Sequence, residues 1–295
     1  MRKAFIEELV TAARNNPKIF LIVGDLGFGV IEPFAEEFPD RFINSGVAEQ
    51  SMMSIAAGLA SEGFHPFVYS IANFPTFRCA EQIRNDVAYH NLPVTIVAVG
   101  GGLTYGNLGY SHHAVQDYAL LRTMPGLLIA SPGDPFEVRA CIRYLIDNPQ
   151  PSYFRLCKSG EPVIHSEIPK VQPGQWLTVR KGTSNQRAYL TTGGVLNWVM
   201  DEVSRESSVC SLPLWGMMFK QLQPEFVSAY SSVVTVEDHL LDGGMGSWML
   251  ESLSTQPDLI RRIRIEALNP SICGMVGRQA TLNAAGGLTI KNLCA

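Results

Sequence analysis

The stretch that decides the fold of this chain is Phe42-Ile43-Asn44-Ser45-Gly46-Val47-Ala48-Glu49-Gln50. Its first three residues are typical of a short β-strand. The run at residues 51–60 that follows is rich in Ala, Met and Leu, which is typical of a buried helix. Glu49 is therefore expected at the start of that helix, where the helix dipole stabilises a carboxylate. On its own, the pattern favours a plain helix-start acid over a functional carboxylate.

Apolar runs and helical patterns alternate on both sides of this stretch. The runs that predict strands lie at residues 19–23, 42–44, 65–70, 94–99, 127–132, 151–156, 188–194 and 233–236. The further helical patterns lie at residues 3–15, 78–90, 134–145 and 195–206. Strands that alternate with helices at this spacing predict an α/β fold with two doubly wound, mainly parallel sheets.

The chain divides into two predicted domains. Residues 1–160 hold the first series of strands and helices, and residues 186–295 hold the second. Residues 161–185 are polar, contain Pro and Gly and have few apolar runs, so we expect an interdomain linker with a short hairpin. In the second domain, the cluster Gly243-Gly244-Met245-Gly246 opens a helix. It could cradle a phosphate, but it lacks the Lys of a P-loop, and close helix–strand packing is the better explanation.

Composition excludes several classes of protein. A chain of 295 residues with 46% apolar residues can build two domains with a sizeable core. The net charge is −4 and the pI is 5.9, and no basic patch stands out, which argues against nucleic acid as a partner. The six cysteines are scattered and form no CxxC pair. We therefore expect reduced thiols, not a zinc site or a disulfide framework.

No membrane association is expected. The N-terminal residues 1–8 include two glutamates where a signal peptide needs an apolar run. No stretch approaches the roughly 18 consecutive apolar residues of a membrane-spanning helix. These features together predict a cytoplasmic protein.

Two further segments follow the Glu49 stretch in a distinctive order. Residues 69–77 read Tyr-Ser-Ile-Ala-Asn-Phe-Pro-Thr-Phe, and Gly100-Gly101-Gly102 leads to Gly109-Tyr110-Ser111-His112-His113. This order resembles the pyrimidine-binding domain of transketolase-like thiamine diphosphate enzymes, above all transketolases and deoxyxylulose-phosphate synthases. The resemblance covers nearly the whole chain, but only the C-terminal half of a full-length transketolase. It implies a pyrimidine-binding domain followed by a mainly structural transketolase C-terminal domain.

The resemblance implies cofactor-binding roles for several residues. Glu49 would share a proton with N1′ of the thiamine diphosphate pyrimidine, and burial suits this because it favours the protonated form of a carboxylic acid. Phe74 and Phe77 fall where the family carries an aromatic pocket for this ring, where stacking adds on the order of 1 kcal/mol. Either could instead be a plain core residue. Tyr69 is a weaker candidate. Asp25, at the carboxyl end of a predicted strand, is either a turn or helix cap or a cofactor-binding residue.

Four residues are candidates for binding the substrate. His112 aligns with the family histidine that can hydrogen-bond the substrate or shuttle a proton near neutral pH. His113 could do the same. Arg155 and Lys158 lie where the family has basic residues that hold a sugar phosphate. The alternative for both is a surface salt bridge.

Two departures from the transketolase pattern bear on the substrate. Gly100 replaces the histidine of the family's Thr-His pair, and Leu108 replaces the aspartate before its Gly-x-Thr-His. In the family these residues contact sugar hydroxyls. Their loss puts the standard ketose and aldose phosphates in doubt. A modified, shortened or nucleotide-linked sugar, or a non-sugar aldehyde, is therefore expected.

A further departure concerns the diphosphate and its metal. The family holds them through a Gly-Asp-Gly motif followed by Asn, which supplies the oxygen ligands that Mg²⁺ (or Ca²⁺) prefers. Here Gly24-Asp25 is followed by Leu26, and no Gly-Asp-Gly occurs elsewhere. We therefore expect no metal ligands in this chain. A separate N-terminal transketolase subunit would supply the diphosphate and metal site, in an α2β2 heterotetramer of the kind that the family implies.

The resulting hypothesis is the C-terminal subunit of a split transketolase. With its partner it would transfer a two-carbon ketol unit from a ketose to an aldehyde, with a sugar or sugar phosphate as substrate. One alternative is the beta chain of a 2-oxo-acid dehydrogenase or a thiamine-dependent lyase, which would release carbon dioxide from an oxo acid. A second is a non-catalytic scaffold that has kept the fold.

Overall fold

Short apolar runs rich in β-branched residues form the strands of two sheets. The run Ile19–Val23, for example, is almost entirely buried, as expected for a strand covered on both faces. The computed structural model describes residues 1–158 and 160–294. Its strands are β1 (Ile19–Val23), β2 (Phe42–Asn44), β3 (His65–Ile71), β4 (Thr95–Val99), β5 (Leu128–Ala130), β6 (Ser152–Leu156), β7 (Leu177–Arg180), β8 (Arg187–Thr191), β9 (Ser208–Ser211), β10 (Leu214–Trp215), β11 (Ser232–Leu240) and β12 (Ile263–Leu268).

Helices connect most of these strands. They are α1 (Arg2–Asn15), α2 (Glu32–Glu37), α3 (Glu49–Ser61), α4 (Asn73–Phe77), α5 (Ala80–Gln82), α6 (Asp117–Leu121), α7 (Pro135–Asp147), α8 (Leu196–Glu202), α9 (Gln223–Ser228), α10 (Met245–Ser252), α11 (Pro257–Ile260), α12 (Gln279–Ala285) and α13 (Ile290–Cys294). A π-helical turn at Ile83–Ala88 continues α5, so the helical segment predicted at residues 78–90 is present in short pieces. Across residues 1–158 and 160–294, every helix is too short or too polar to cross a membrane.

The first sheet has the strand order β10-β5-β6-β4-β3-β1-β2. All its pairings are parallel except that of β10 with β5. Val23 of β1 pairs with Asn44 of β2 on one side and with Tyr69 of β3 on the other. The carboxyl ends of these three strands therefore meet at one edge, where open α/β sheets bind their ligands.

Different helices cover the two faces of the first sheet. Helices α1 and α7 lie on one face, where Phe5 and Leu9 are fully buried. Helix α3 lies on the other face and buries Met52 and Met53. Burying a side chain of this size contributes about 1.5–3 kcal/mol, so these contacts hold the start of α3, and with it Glu49, at the edge of the sheet.

The second sheet has the strand order β12-β11-β8-β9-β7 and is parallel except for β7. After β9 the chain leaves this sheet and adds β10 to the edge of the first sheet. Trp215 of β10 packs against Trp248 of α10, with ring centroids 5.4 Å apart. Two mainly parallel sheets joined in this way confirm the predicted fold class.

The structure differs from the prediction at residues 161–185. Instead of a short hairpin, this segment supplies the single strand β7, which pairs antiparallel with β9. Leu177 packs against the core of the first sheet, and Val179 packs against that of the second. The apolar residues were too few to predict a strand, but they anchor this one against both cores.

Strand β11 extends further than its apolar run predicts. It continues through Glu237, Asp238 and His239, all of which are buried. Charged residues normally mark the exposed end of a strand. Here hydrogen bonds from neighbouring elements, including Arg155 of β6, compensate for the loss of water.

Candidate active site

Glu49 is the first residue of α3 and lies at the carboxyl edge of the first sheet. Only 5% of it is exposed. Gly24, just after β1, packs close to it: a Cβ at Gly24 would lie 3.7 Å from Cγ of Glu49 and 3.5 Å from Oγ of Ser70. The carboxylate is therefore held at the sheet edge in mostly apolar surroundings, with the backbone of Gly24 and the hydroxyl of Ser70 beside it.

Arg78 joins Glu49 to the aromatic residue Phe74. Its Nη1 donates a hydrogen bond of 3.0 Å to Oε1 of Glu49. The guanidinium carbon lies 4.0 Å from the centroid of the Phe74 ring, in a cation–π contact. The carboxylate and the ring are thus close enough for one flat group to contact both.

A cleft of about 290 Å³ opens beside Arg78. Its lining includes both predicted aromatic residues, Phe74 and Phe77, and Phe77 is 45% exposed. Asn73 holds one wall in place, because its Nδ2 donates to the backbone carbonyl oxygens of Ser111 and His113. The start of α4 and the histidine loop are therefore linked directly.

The two predicted histidines differ in their surroundings. His112 is half-buried and meets the Phe74 ring edge-on, with centroids 5.3 Å apart. Burial lowers the pKa of His112, and the neighbouring His113 and Arg78 add to this, so the ring is neutral at neutral pH. His113 is 1% exposed, and its Nε2 lies 3.4 Å from the carbonyl oxygen of Gly106. His112 is thus the better placed of the two to reach a bound molecule.

Asp25 lies on the same sheet edge. It is exposed and has a φ of 52°, a left-handed conformation that side chains other than glycine rarely adopt. Asn44 stabilises this conformation by accepting a hydrogen bond from the Asp25 backbone N–H and donating one to Oδ1 of Asp25. Its position leaves both predicted roles, as a turn residue and as a cofactor contact, available.

Tyr69 lies away from this site. Its ring is 1% exposed and stacks on Phe5 of α1, with centroids 5.8 Å apart. Successive residues of a strand point to opposite faces of the sheet, so Ser70 points toward Glu49 while Tyr69 points toward α1. The prediction that Tyr69 contacts the cofactor is not supported by this position.

Lys158 is exposed beyond the end of β6, close to the glycine-rich loop. Its Nζ lies 5.8 Å from the ring centroid of Tyr105, which in turn lies 6.5 Å from the ring of His112. Gly100 makes room for this tyrosine, because a Cβ there would lie 2.3 Å from the Tyr105 ring. Tyr105 therefore packs over the position where the sequence departs from the family pattern.

Arg155 belongs to a different part of the molecule from Lys158. It is 2% exposed and donates to carboxylate oxygens of Asp117 and Asp238 at 2.7 Å each. Its remaining hydrogen bonds go to the hydroxyl of Tyr118 and to the carbonyl oxygens of Ala114 and Asp238. The prediction that Arg155 holds a sugar phosphate is corrected by this placement, because its guanidinium is enclosed and already fully bonded.

The glycine cluster before α10 binds a side chain of the protein itself. The carboxylate of Glu237 accepts hydrogen bonds from the backbone N–H groups of Met245 and Gly246 at 2.6 and 2.8 Å. A Cβ at Gly244 would lie 2.2 Å from Oε2 of Glu237. The helix N-terminus therefore has its anion already, and the glycines serve close packing, as the sequence favoured.

Within residues 1–158 and 160–294, no group of three or more His, Cys, Asp or Glu side chains is arranged to hold a metal ion. The candidate site is therefore a carboxylate, an aromatic cleft and a histidine loop. It contains no preformed set of metal ligands among these described residues.

Comparison with known proteins assigns the family. Residues 1–162 match the family described as transketolase, pyrimidine binding domain. An apulose-4-phosphate transketolase chain from Phocaeicola vulgatus, itself one part of a divided enzyme, is 32% identical over 301 residues, which covers 99% of this chain and 95% of that protein. This chain belongs to the transketolase family.

Two further transketolase relatives have the same extent as this chain. A putative transketolase C-terminal section from Methanocaldococcus jannaschii is 32% identical over 267 residues, covering 86% of this chain and 82% of that protein. A solved structure described as a split gene transketolase, inactive beta4 tetramer, is 28% identical with a TM-score of 0.85 and covers 99% of this chain and 95% of its own. The chain thus corresponds to the C-terminal subunit of a split transketolase.

Transketolases are thiamine diphosphate enzymes, and this site fits the pyrimidine half of that cofactor. A buried carboxylate, that of Glu49, lies next to a ring whose face already carries a flat cationic group, that of Arg78. Among the described residues, three buried polar atoms near the site have no hydrogen-bond partner: Oγ of Ser70, Oδ1 of Asn73 and Nδ1 of His113. A polar aromatic ligand would supply partners for such atoms.

Sequence reasoning missed four residues that this transketolase site uses. They are Ser70, Asn73, Arg78 and Tyr105. Two of them had a usable signal: Arg78 lies four residues after Phe74, the spacing of neighbours on a helix, and Tyr105 lies in the glycine-rich loop. The contacts of Ser70 and Asn73 depend on how separate segments pack, which no local pattern encodes.

Proposed function

We propose that this chain is the C-terminal subunit of a two-component transketolase that is active only with an N-terminal partner subunit. The observation that carries the proposal is the position of Glu49, a 5%-exposed carboxylate at the edge of the sheet beside the Phe74 ring. The match of the whole chain to a single subunit of the Phocaeicola vulgatus transketolase supports the division of labour.

The chain's own residues would bind and orient the pyrimidine of thiamine diphosphate. The cofactor, when bound, supplies the electron sink for cleaving and forming the carbon–carbon bond. Glu49 would hold a proton at N1′ of the pyrimidine. Phe74 or Phe77 would stack on the ring, and His112 would hydrogen-bond the substrate. Asp25, at the same sheet edge, is a further cofactor contact in this proposal.

The partner would supply what this chain lacks. The sequence contains no Gly-Asp-Gly motif, so the ligands for the diphosphate and for Mg²⁺ (or Ca²⁺) are proposed to come from the N-terminal subunit. The cofactor would then lie between the two chains. A related split-gene transketolase is described as an inactive beta4 tetramer. We propose an α2β2 heterotetramer as the active form here.

The substrate is proposed to be a modified sugar phosphate. Two relatives are named for apulose-4-phosphate, which makes that compound the first candidate. Lys158 is exposed near Tyr105 and His112, and it could bind the phosphate. Leu108 is 52% exposed in the loop where the family has an acid, so this side of the site favours a sugar with fewer hydroxyls to bind there.

The test is to purify the chain together with its partner subunit. Isothermal titration with thiamine diphosphate and Mg²⁺ should show binding to the complex and none to either subunit alone. Turnover is then measured with apulose 4-phosphate, with ketose phosphates and with 2-oxo acids. Ketol transfer supports the proposal, whereas release of carbon dioxide from an oxo acid favours the dehydrogenase or lyase beta chain. A stable complex that binds no thiamine diphosphate would leave only the scaffold.

A further inference from the structure

Arg78 lies between the two groups that the cofactor ring has to reach. Within the described residues, its Nη1 is the one donor to the Glu49 carboxylate, and its guanidinium covers the Phe74 ring at 4.0 Å. A guanidinium is planar and cationic, so it can pair with a carboxylate at its edge while it stacks on an aromatic face. The pyrimidine would need to make the same two kinds of contact.

The space around Arg78 supports the same conclusion. One cleft is lined by residues 47–51, which include Glu49, and a second is lined by Phe74 and Phe77. Arg78 lines both of them. Its side chain therefore separates two openings that would otherwise join into one cavity running from the carboxylate to the aromatic rings.

We propose that Arg78 is a positioning residue that occupies the pyrimidine's place in the cofactor-free subunit and moves aside when the cofactor binds. This inference rests on the proposed function, since it concerns the same carboxylate and ring. Arg78 keeps the buried carboxylate paired and the aromatic face covered until the pyrimidine replaces it in both contacts.

The exposure of the two partners explains why the exchange is feasible. Glu49 is 5% exposed and needs a partner, because an unpaired carboxylate in apolar surroundings is destabilised. The Arg78 side chain is 47% exposed and can move into water at little cost, because ion pairs this exposed contribute little. The incoming ring restores the bond to Glu49, and the cation that leaves regains its hydration.

The experiment compares Arg78→Met, Arg78→Lys and Arg84→Met. Met keeps the unbranched shape of the side chain without its charge or plane, and Lys keeps the charge without the plane. Arg84 is an exposed arginine of the next helical turn that bonds only the neighbouring Asn85 among the described residues, so it controls for the lost charge. Affinity for thiamine diphosphate is measured by titration of the assembled complex with Mg²⁺. Binding of the free aminopyrimidine half of thiamine is measured on the isolated subunit by ligand-observed NMR.

We expect Arg78→Met to bind thiamine diphosphate about tenfold more tightly than wild type, as loss of one weak ion pair and one cation–π contact implies. The isolated Arg78→Met subunit should also bind the aminopyrimidine more tightly, Arg78→Lys should be intermediate, and Arg84→Met should match wild type. Weaker binding by Arg78→Met would make Arg78 a cofactor ligand and overturn the inference. Unchanged binding in both assays would overturn it too, while leaving the proposed function intact. The proposed function itself fails only if the wild-type complex binds no thiamine diphosphate.

Discussion

Glu49 is the residue on which the proposed chemistry depends most directly. In the assembled complex, Glu49→Gln should lower kcat by about 10²–10⁴-fold, the range for loss of a positioned proton donor. The amide has the same shape as the carboxylic acid but cannot exchange a proton with the cofactor ring. Steady-state turnover measures the effect, size-exclusion chromatography checks assembly, and Glu36→Gln, an exposed acid of α2, is the control. Normal turnover in an assembled Glu49→Gln complex would leave the scaffold as the better explanation.

Lys158 tests the substrate side of the site. We expect Lys158→Met to raise KM for a phosphorylated substrate by about tenfold, in line with the 1–2 kcal/mol of a charge-assisted contact. KM for the unphosphorylated analogue should not change. The comparison variant is Lys18→Met, which removes an exposed lysine before β1, at the opposite edge of the sheet. An equal rise in KM for both substrates would show that Lys158 does not bind the phosphate.

Two glycines make opposite predictions at the scale of single helices. Gly244 precedes α10, and a Cβ there would lie 2.2 Å from the Glu237 carboxylate that caps this helix. Gly58 lies within α3 with no atom inside 4 Å of its added Cβ. Gly244→Ala should therefore lower the free energy of unfolding by about 1–3 kcal/mol through overpacking. Gly58→Ala should raise it by about 0.5–1 kcal/mol, because alanine has the better helix propensity.

Urea unfolding of the isolated subunit measures both changes. Both glycines have backbone angles that alanine can adopt, since neither has a positive φ. The contrast therefore isolates the space around each Cβ. If Gly244→Ala were as stable as wild type, Glu237 would not be held against the start of α10 as the structure shows.

Local patterns predicted elements well when each element's own residues define it. The strand at Phe42–Asn44 and the helix beginning at Glu49 were predicted correctly, because an apolar run and a helix-forming run meet there. Strand β7 was missed because it is held by pairing with the distant strand β9. The extension of β11 was missed because its charged residues are compensated by other segments. The domain boundaries at 1–160, 161–185 and 186–295 stay a prediction.

The same distinction holds for the site. Glu49 could be proposed from its sequence context, whereas the enclosure of Arg155 could not. Arg155 of β6 bonds Asp117 and also Asp238 of β11, so its partners come from distant parts of the chain. A basic residue next to an apolar run reads the same in sequence whether it faces a phosphate or two buried carboxylates. Only the packing of the two sheets distinguishes these cases.

At the scale of the whole molecule, the buried charges between the sheets make stability depend on pH. His239 of β11 stacks on Tyr118, with ring centroids 5.1 Å apart. Its Nδ1 lies 2.7 Å from the carbonyl oxygen of Leu240, and its Nε2 faces the backbone N–H of Ala119 at 3.4 Å. These contacts fit a neutral ring with its proton on Nδ1. Burial lowers the pKa of His239 to about 4.

The sign of the effect follows from this lowered pKa. Histidine in the unfolded chain has a pKa near 6.5, so as the pH falls the unfolded state takes up a proton first. The stability that His239 contributes is therefore complete above about pH 6.5 and is lost as the pH falls toward about 4. Glu237 acts in the opposite sense, because burial raises its pKa to about 8. The folded state then binds the proton first, and stability from this group falls as the pH rises from about 4.5 to 8.

A histidine variant separates these two contributions. Between about pH 7.5 and pH 5, His239→Gln should lose about 2 kcal/mol less free energy of unfolding than wild type, although it is less stable at the higher pH. Glu237 is present in both proteins, so its effect cancels in the comparison. Urea unfolding at the two pH values gives the measurement, and His90→Gln, which removes an exposed histidine, should follow wild type. If wild type and His239→Gln changed in parallel with pH, the ring would be able to take up a proton without opening the contact between the sheets. The buried cluster would then be more accessible to water than its contacts imply.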